Sequence, residues 1–152
     1  MDEVTLREYR PGDLEAMYAL DVVCFEPVFR FSRRAMRGFA EAPGAMTVVA
    51  EAGEELVGFC VAELQDQTGY VVTLDVAPAW RRRGLARRLM AEVEARVRAA
   101  GGLSMNLHVF TGNEGAIRFY ERSGYARTEL KRRFYGGAGL DAFVYRKELE
   151  VS

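Results

Sequence analysis

Residues 69–97 constrain the chain most: a β-branched run, a proline stop, a basic corner, and then an apolar repeat at every fourth position. In Gly69-Tyr70-Val71-Val72-Thr73-Leu74-Asp75-Val76 the branched side chains favour an extended, largely buried strand. Pro78 has no N–H to give a ladder, so the strand ends before it. Beyond Gly84, Leu85, Leu89, Val93 and Val97 recur with Met90 beside them, which is one apolar face of a helix. Ala100-Gly101-Gly102 stops that helix. Residues 105–109 follow as a short strand, and a strand reached through a crossover helix pairs in parallel with the one before it.

The remaining elements surround this unit. Residues 4–9 alternate as a strand, and Pro11-Gly12-Asp13 breaks it, with Asp13 placed to cap a helix marked by Leu14, Met17, Tyr18, Val22 and Phe25. Ser32 caps a second helix running to about residue 42, and Pro43-Gly44 turns the chain. Residues 46–51 and 56–64 form two strands joined by a hairpin at 52–55, and the polar residues 65–68 turn back into the 69–76 strand. Residues 111–113 lead into a short helix over 114–123, ended by Gly124. Residues 125–132 and 142–147 close the chain as strands, separated by Phe134-Tyr135-Gly136-Gly137-Ala138-Gly139. The order β-α-α-β-β-β-α-β-α-β-β is that of an α/β (α+β) domain, a mixed sheet with helices on both faces, spanning residues 1–152 as one unit.

Charge and cysteine content narrow the function classes. The formal net charge is −1, against the strongly basic balance of a dedicated nucleic-acid binder. Cys24 and Cys60 are the two cysteines, both in apolar surroundings, so neither a disulfide framework nor a metal centre is expected. The start, Met-Asp-Glu-Val, has no basic and apolar leader, and no apolar run approaches the ~20 residues that span a bilayer. The expectation is a cytoplasmic protein without a membrane partner.

Two features carry chemistry. The corner Arg81-Arg82-Arg83-Gly84-Leu85-Ala86 stands where a strand gives way to a helix. The first N–H groups of a helix have no partner inside it, and the helix dipole adds positive charge there. Gly84 and Ala86 let a ligand approach that backbone and the arginines add full charges, so the corner suits a phosphate or pyrophosphate. A solvated arginine face or a nucleic-acid patch over residues 81–88 is the competing reading. His108 is the single histidine. Its free pKa near about 6.5 suits a general base at neutral pH, and strand alternation sets it with Asn106, opposite the apolar set; a packed strand histidine is the alternative.

With these residues in view, the chain resembles the GNAT superfamily of acetyl-CoA-dependent N-acetyltransferases. Arg81, Gly84 and Ala86 match its Gln/Arg-x-x-Gly-x-Gly/Ala signature after the fourth strand. Residues 113–125, beginning Asn113-Glu114-Gly115-Ala116 and including Phe119-Tyr120 and Gly124-Tyr125, match a second signature of the family. The resemblance covers essentially the whole chain. It implies a mostly antiparallel sheet whose parallel fourth and fifth strands splay apart. Tyr70-Val71-Val72-Thr73-Leu74 and Leu107-His108-Val109 resemble enzymes that acetylate protein N-termini, of the NatE catalytic-subunit and bacterial ribosomal-protein alanine acetyltransferase types; the bacterial branch usually has Glu where His108 stands.

The resemblance implies roles, residue by residue. Acetyl-CoA would lie with its diphosphate on Arg81, Arg82, Arg83, Gly84, Leu85, Ala86 and Arg87. Its pantetheine would pair with the backbone of Leu74, Asp75 and Val76 and touch Asn113, whose simpler role is a helix cap. An N–H near Val76 would meet the developing oxyanion. Tyr120 would protonate the departing CoA thiolate. His108 would act as base, with Tyr70 ordering a water beside it. Phe25, Pro27 and Val28 of the first loop, with Glu26 interposed, and Phe134 and Tyr135 of the last hairpin would hold the acceptor. The expected acceptor is the α-amine of a protein or peptide. Alternatives are a small amine such as a polyamine, amino acid or drug, or CoA binding without turnover. The sequence leaves monomer and homodimer open.

Overall fold

The structure, a computed structural model, describes residues 3–136 and 139–150. The readings at Met1-Asp2 and at the hairpin tip Gly137-Ala138 lie outside the described residues. β1 (Val4–Glu8) leads through a short 3₁₀ turn into α1 (Leu14–Cys24) and α2 (Arg33–Ala40). β2 (Val48–Ala52), β3 (Glu55–Gln65) and β4 (Thr68–Val76) form an antiparallel meander. α3 (Leu85–Ala99) crosses to β5 (Ser104–Phe110), and α4 (Glu114–Arg122) precedes β6 (Ala126–Lys131) and β7 (Ala142–Glu148). The sheet runs β1-β2-β3-β4-β5-β7-β6, with β4 and β5 parallel and the other neighbours antiparallel. The expected order of elements and the mixed, mostly antiparallel sheet are both present.

Alternation along the central strands divides the core in two. Val48 and Ala50 face α3 and α4, whereas Val49, Phe59 and Val61 face α1 and α2. Because both faces are covered, β3 reads as a continuous apolar run and is buried from Val57 to Ala62. Leu85, Leu89, Met90, Val93 and Val97 of α3 fill the first half, as their spacing requires. Gly58 makes this approach possible: a Cβ there would meet Leu85 and Leu89 side-chain carbons at 3.3 Å. Leu89 is fully buried. Leu89→Ala is expected to lower unfolding free energy by about 2–5 kcal/mol, read by urea titration of the folded protein.

Two caps hold as expected. The Ala35 N–H donates to Ser32 Oγ at 3.1 Å, and the Ala116 N–H to Asn113 Oδ1 at 3.1 Å. Asp13 corrects the third. It sits at the N-cap of α1, but its carboxylate makes no cap bond. It instead accepts both terminal nitrogens of Arg7, at 2.9 and 2.7 Å, and the Arg10 N–H at 2.7 Å. A charged donor from β1 outcompetes a helix amide.

One irregularity positions the site. In the β3–β4 ladder Val61 faces Thr73 and Ala62 faces Val71, so Val72 is an extra residue that bends β4. Pairing of β4 with β5 stops at the same point, with Val71 opposite Leu107. Beyond it β4 continues to Val76 and β5 to Phe110, without a shared ladder.

Candidate active site

The gap between the separated strands opens into a cavity of about 500 Å³. Val72, Thr73 and Leu74 line one side, and His108, Val109 and Phe110 the other. α4 supplies Asn113, Ala116, Phe119 and Tyr120 from one face of the sheet. The loop after α1 and the segment before β7 close the opposite face with Phe25, Phe29, Phe31, Phe134 and Tyr135. Phe29 joins these two segments, its ring 4.8 Å from Tyr135 and 5.2 Å from Phe110. None of the described residues around this cavity is acidic.

Tyr70 and His108 meet in this wall. Tyr70 faces Asn106 across the parallel ladder, and His108 lies two positions beyond Asn106 on the same face. The Tyr70 hydroxyl and His108 Nδ1 share a 2.7 Å hydrogen bond. Phe134 stacks on the imidazole, ring centres 4.1 Å apart and planes 9° from parallel. Burial, with Lys131 adding to it and Glu129 opposing, holds the His108 pKa below its ordinary value, so the ring is neutral at pH 7. Burial also pushes the Tyr70 phenol up to about 12, keeping it protonated. A protonated phenol against a neutral imidazole is a proton path.

Tyr120 reaches the same cavity from α4. Its ring is buried and held edge-on by Phe119 and Tyr125, with centroids at 5.1 and 5.7 Å. Tyr125 is itself tied to Glu94 of α3 at 2.7 Å. Burial raises the Tyr120 pKa far above the usual phenol range. Phe119 lines both this cavity and a second one of about 300 Å³.

The second cavity lies at the start of α3, along Arg81, Arg82, Gly84, Ala86 and Arg87, with Val76 and Trp80 beside them. α3 begins at Gly84 without a side-chain cap. Gly84 has φ +78°, and nothing stands within 4 Å of where its Cβ would be. Leu85, Ala86 and Arg87 therefore start the helix beside open space and three arginine neighbours, a cradle that fits a diphosphate. The unpaired β5-side edge of β4 runs from there toward the first cavity.

Several expected contacts fall elsewhere. The Arg83 guanidinium lies over the Trp80 ring at 4.7 Å and does not line the cavity. Arg81 lines it but also donates from Nε to the Val76 carbonyl at 3.0 Å, which anchors the corner to β4. Leu85 turns its side chain into the core and offers only backbone. The Asp75 side chain points to the α1 face, away from both cavities. Pro27 is exposed and starts a 3₁₀ turn (Pro27–Phe29) rather than lining the pocket; Phe29 takes that place. Among the described residues no three His, Cys, Asp or Glu side chains could hold a metal, and no helix is long and apolar enough to cross a membrane.

Comparison with known proteins agrees with this geometry. Residues 14–125 match the Acetyltransferase (GNAT) family. The chain is 29% identical over 98% of its length to the uncharacterized protein ML0378 of Mycobacterium leprae, and covers 42% of that protein. It is 35% identical over 66% of its length to the N-alpha-acetyltransferase RimI of Mycobacterium tuberculosis, covering 65% of it. The chain thus spans less than two thirds of the length of either curated relative. The crystal structure of the ribosomal-protein-S18-alanine N-acetyltransferase from Escherichia coli shares the fold, with a TM-score of 0.88 at 19% identity, covering 99% of this chain and 96% of that one.

Proposed function

The chain belongs to the Acetyltransferase (GNAT) family, and we propose that it transfers an acetyl group from acetyl-CoA to the α-amine of a protein or peptide. Acetyl-CoA supplies the activated thioester. Its diphosphate would rest on the amides opening α3, between Arg82 and Arg87, and its pantetheine would follow the free edge of β4 at Leu74 and Val76, past Asn113. His108 accepts the proton of the incoming amine through the Tyr70 hydroxyl, the phenol handing its own proton to Nδ1. The Val76 N–H, at the end of that free edge, would meet the carbonyl oxygen as charge develops. Tyr120 donates to the departing sulfur. Phe25, Val28, Phe134 and Tyr135, with Phe29, hold the acceptor.

The observation that carries the acceptor is the character of the first cavity. Its aromatic walls, without a carboxylate, fit an apolar first side chain and disfavour a polyamine, whose multiple charges need acidic partners. A neutral, half-buried imidazole also matches an α-amine better than a lysine. At pH 7 an α-amine is roughly 10% neutral, but a lysine only about 0.04%. The mycobacterial RimI, an N-alpha-acetyltransferase by name, supports the same reading.

The test is a mass-spectrometric acceptor screen with acetyl-CoA. Peptides with free N-termini and apolar first residues should be acetylated. Peptides blocked at the N-terminus, with one free lysine, should react at least about 10²-fold more slowly, the ratio of the neutral fractions. Faster turnover of polyamines, amino acids or aminoglycoside-type amines than of any peptide would overturn the acceptor.

A further inference from the structure

Asp21 of α1 and Asp75 of β4 are sealed into the α1 face of the sheet, 0% and 1% exposed. Each has one satisfied oxygen. Asp21 Oδ2 accepts the Phe31 backbone N–H at 2.9 Å, and Asp75 Oδ1 accepts the Thr73 hydroxyl at 2.7 Å. Asp21 Oδ1 and Asp75 Oδ2 are buried without a donor among the described residues. The two carboxyl groups lie within hydrogen-bonding reach of each other.

Two ionised carboxylates in such a place repel strongly, because little water screens them. One proton placed between the two remaining oxygens satisfies both. The other titratable groups near Asp75 do not substitute for it. Arg81, from the β4–α3 corner, faces Asp75, but its Nε and Nη2 are directed to the Val76 carbonyl and Cys24 Sγ. Cys24 of α1, Cys60 of β3 and Tyr120 of α4 are kept neutral by burial.

The pair sits directly behind the aromatic cavity. Phe31 and Thr73, the residues its outer oxygens hold, both line that cavity. Phe31 in turn packs edge-on against Phe39 of α2, centroids 5.6 Å apart. The pair thus ties the segment after α1 to β4 at the bulge where β4 leaves β5. We infer that Asp21 and Asp75 are positioning residues that share one proton and thereby pin the Phe31 segment against β4, so that acceptor binding depends on that proton. This rests on the acyl-transfer reading of the cavity.

The sign follows from where the proton is bound. Burial and the neighbouring Asp21 make Asp75 keep a proton above the pH at which an unfolded aspartate loses its own. Its contribution to stability is therefore full at acid pH and is lost as pH rises through the folded titration. Once the proton leaves, two buried like charges push the Phe31 segment outward and the acceptor wall loosens. The corner that fits the diphosphate, at the start of α3, has an anchor of its own in the bond from Arg81 Nε to the Val76 carbonyl.

Asp21→Asn tests this. Its carboxamide keeps an acceptor for Phe31 N–H and gives Asp75 a permanent N–H donor. Above the pair's titration, wild-type acceptor KM should rise relative to the variant by up to about tenfold per pH unit. The acceptor's own amine titration cancels in that ratio, and KM for acetyl-CoA should not follow. The wild-type melting temperature should fall as pH rises from the ordinary aspartate range, near about 3.9, up to the pair's titration and level off above it, while Asp21→Asn stays flat. Asp75→Asn, which donates in the opposite direction, provides a second variant with the same expected flat melting profile. Matching pH profiles of melting temperature in wild type and both variants would remove the shared proton. A difference in melting alone, with acceptor KM ratios constant, would remove the positioning role. If the acceptor proves to be a small amine, the peptide reading fails, and the same KM ratio measured on that amine still decides this inference.

Discussion

His108→Ala is expected to lower kcat for peptide acetylation by about 10²–10⁴-fold while leaving acetyl-CoA binding nearly intact, as read by initial rates and by titration with CoA. The magnitude is that of a positioned base, and the geometry supplies the positioning. Tyr70 fixes one ring nitrogen at 2.7 Å and Phe134 fixes the ring plane. Burial keeps the imidazole neutral to a lower pH than free histidine. The limb that His108 adds to kcat/KM should therefore lie below about 6.5, under the acceptor amine's own limb near about 8, and it alone should vanish in the variant. Folding stability is linked in the same direction. As pH falls below about 6.5 the unfolded chain takes up a proton that the folded one resists, so stability is lost on acidification and the variant loses less. Tyr70→Phe should reproduce much of the kcat loss if the amine proton travels through the phenol. Turnover unchanged in His108→Ala would place the base elsewhere.

Much of this site was legible in the sequence because the local signals and the tertiary structure agree. The strand, corner and helix over 69–97 are marked by β-branching, a proline and a four-residue apolar period, and each of these has its cause in local geometry. His108 could be set on the face of Asn106 by alternation alone. The failures share a physical origin in long-range partners. Asp13 looked like a cap because nothing nearby in sequence shows that Arg7 of β1 would take its carboxylate. The bulge at Val72 is set by pairing with β3, which no local signal marks, and it turns Val72 and Thr73 toward the α1 face. Phe110 became a pocket wall through contact with Phe29 of a separate segment, which no spacing reveals. Asp21 alone left a signal that went unused: a carboxylate on the face of α1 that carries Leu14 and Met17 asks for a buried partner.

Tyr120→Phe is the second large effect, and its expected size follows from the phenol's surroundings. Burial holds the Tyr120 pKa so far up that the hydroxyl stays protonated at any working pH. A free thiol loses its proton near about 8.5, so full transfer from such a phenol to a thiolate is uphill. The group is better suited to donate a hydrogen bond to the developing sulfur anion than to surrender its proton. A hydrogen bond to a charged group contributes about 1.5–3 kcal/mol, which corresponds to a kcat loss of about 10- to 10²-fold. The ring would stay in place, since Phe119 and Tyr125 hold it through ring-to-ring packing that the substitution keeps. Folding stability should change by less than about 1.5 kcal/mol. The pH profile separates the two roles. A donor that never ionises gives no alkaline limb of its own, so wild type and variant should run parallel up to pH 10. An alkaline limb present in wild type and absent in Tyr120→Phe would restore proton transfer, and an unchanged kcat would take Tyr120 out of the chemistry.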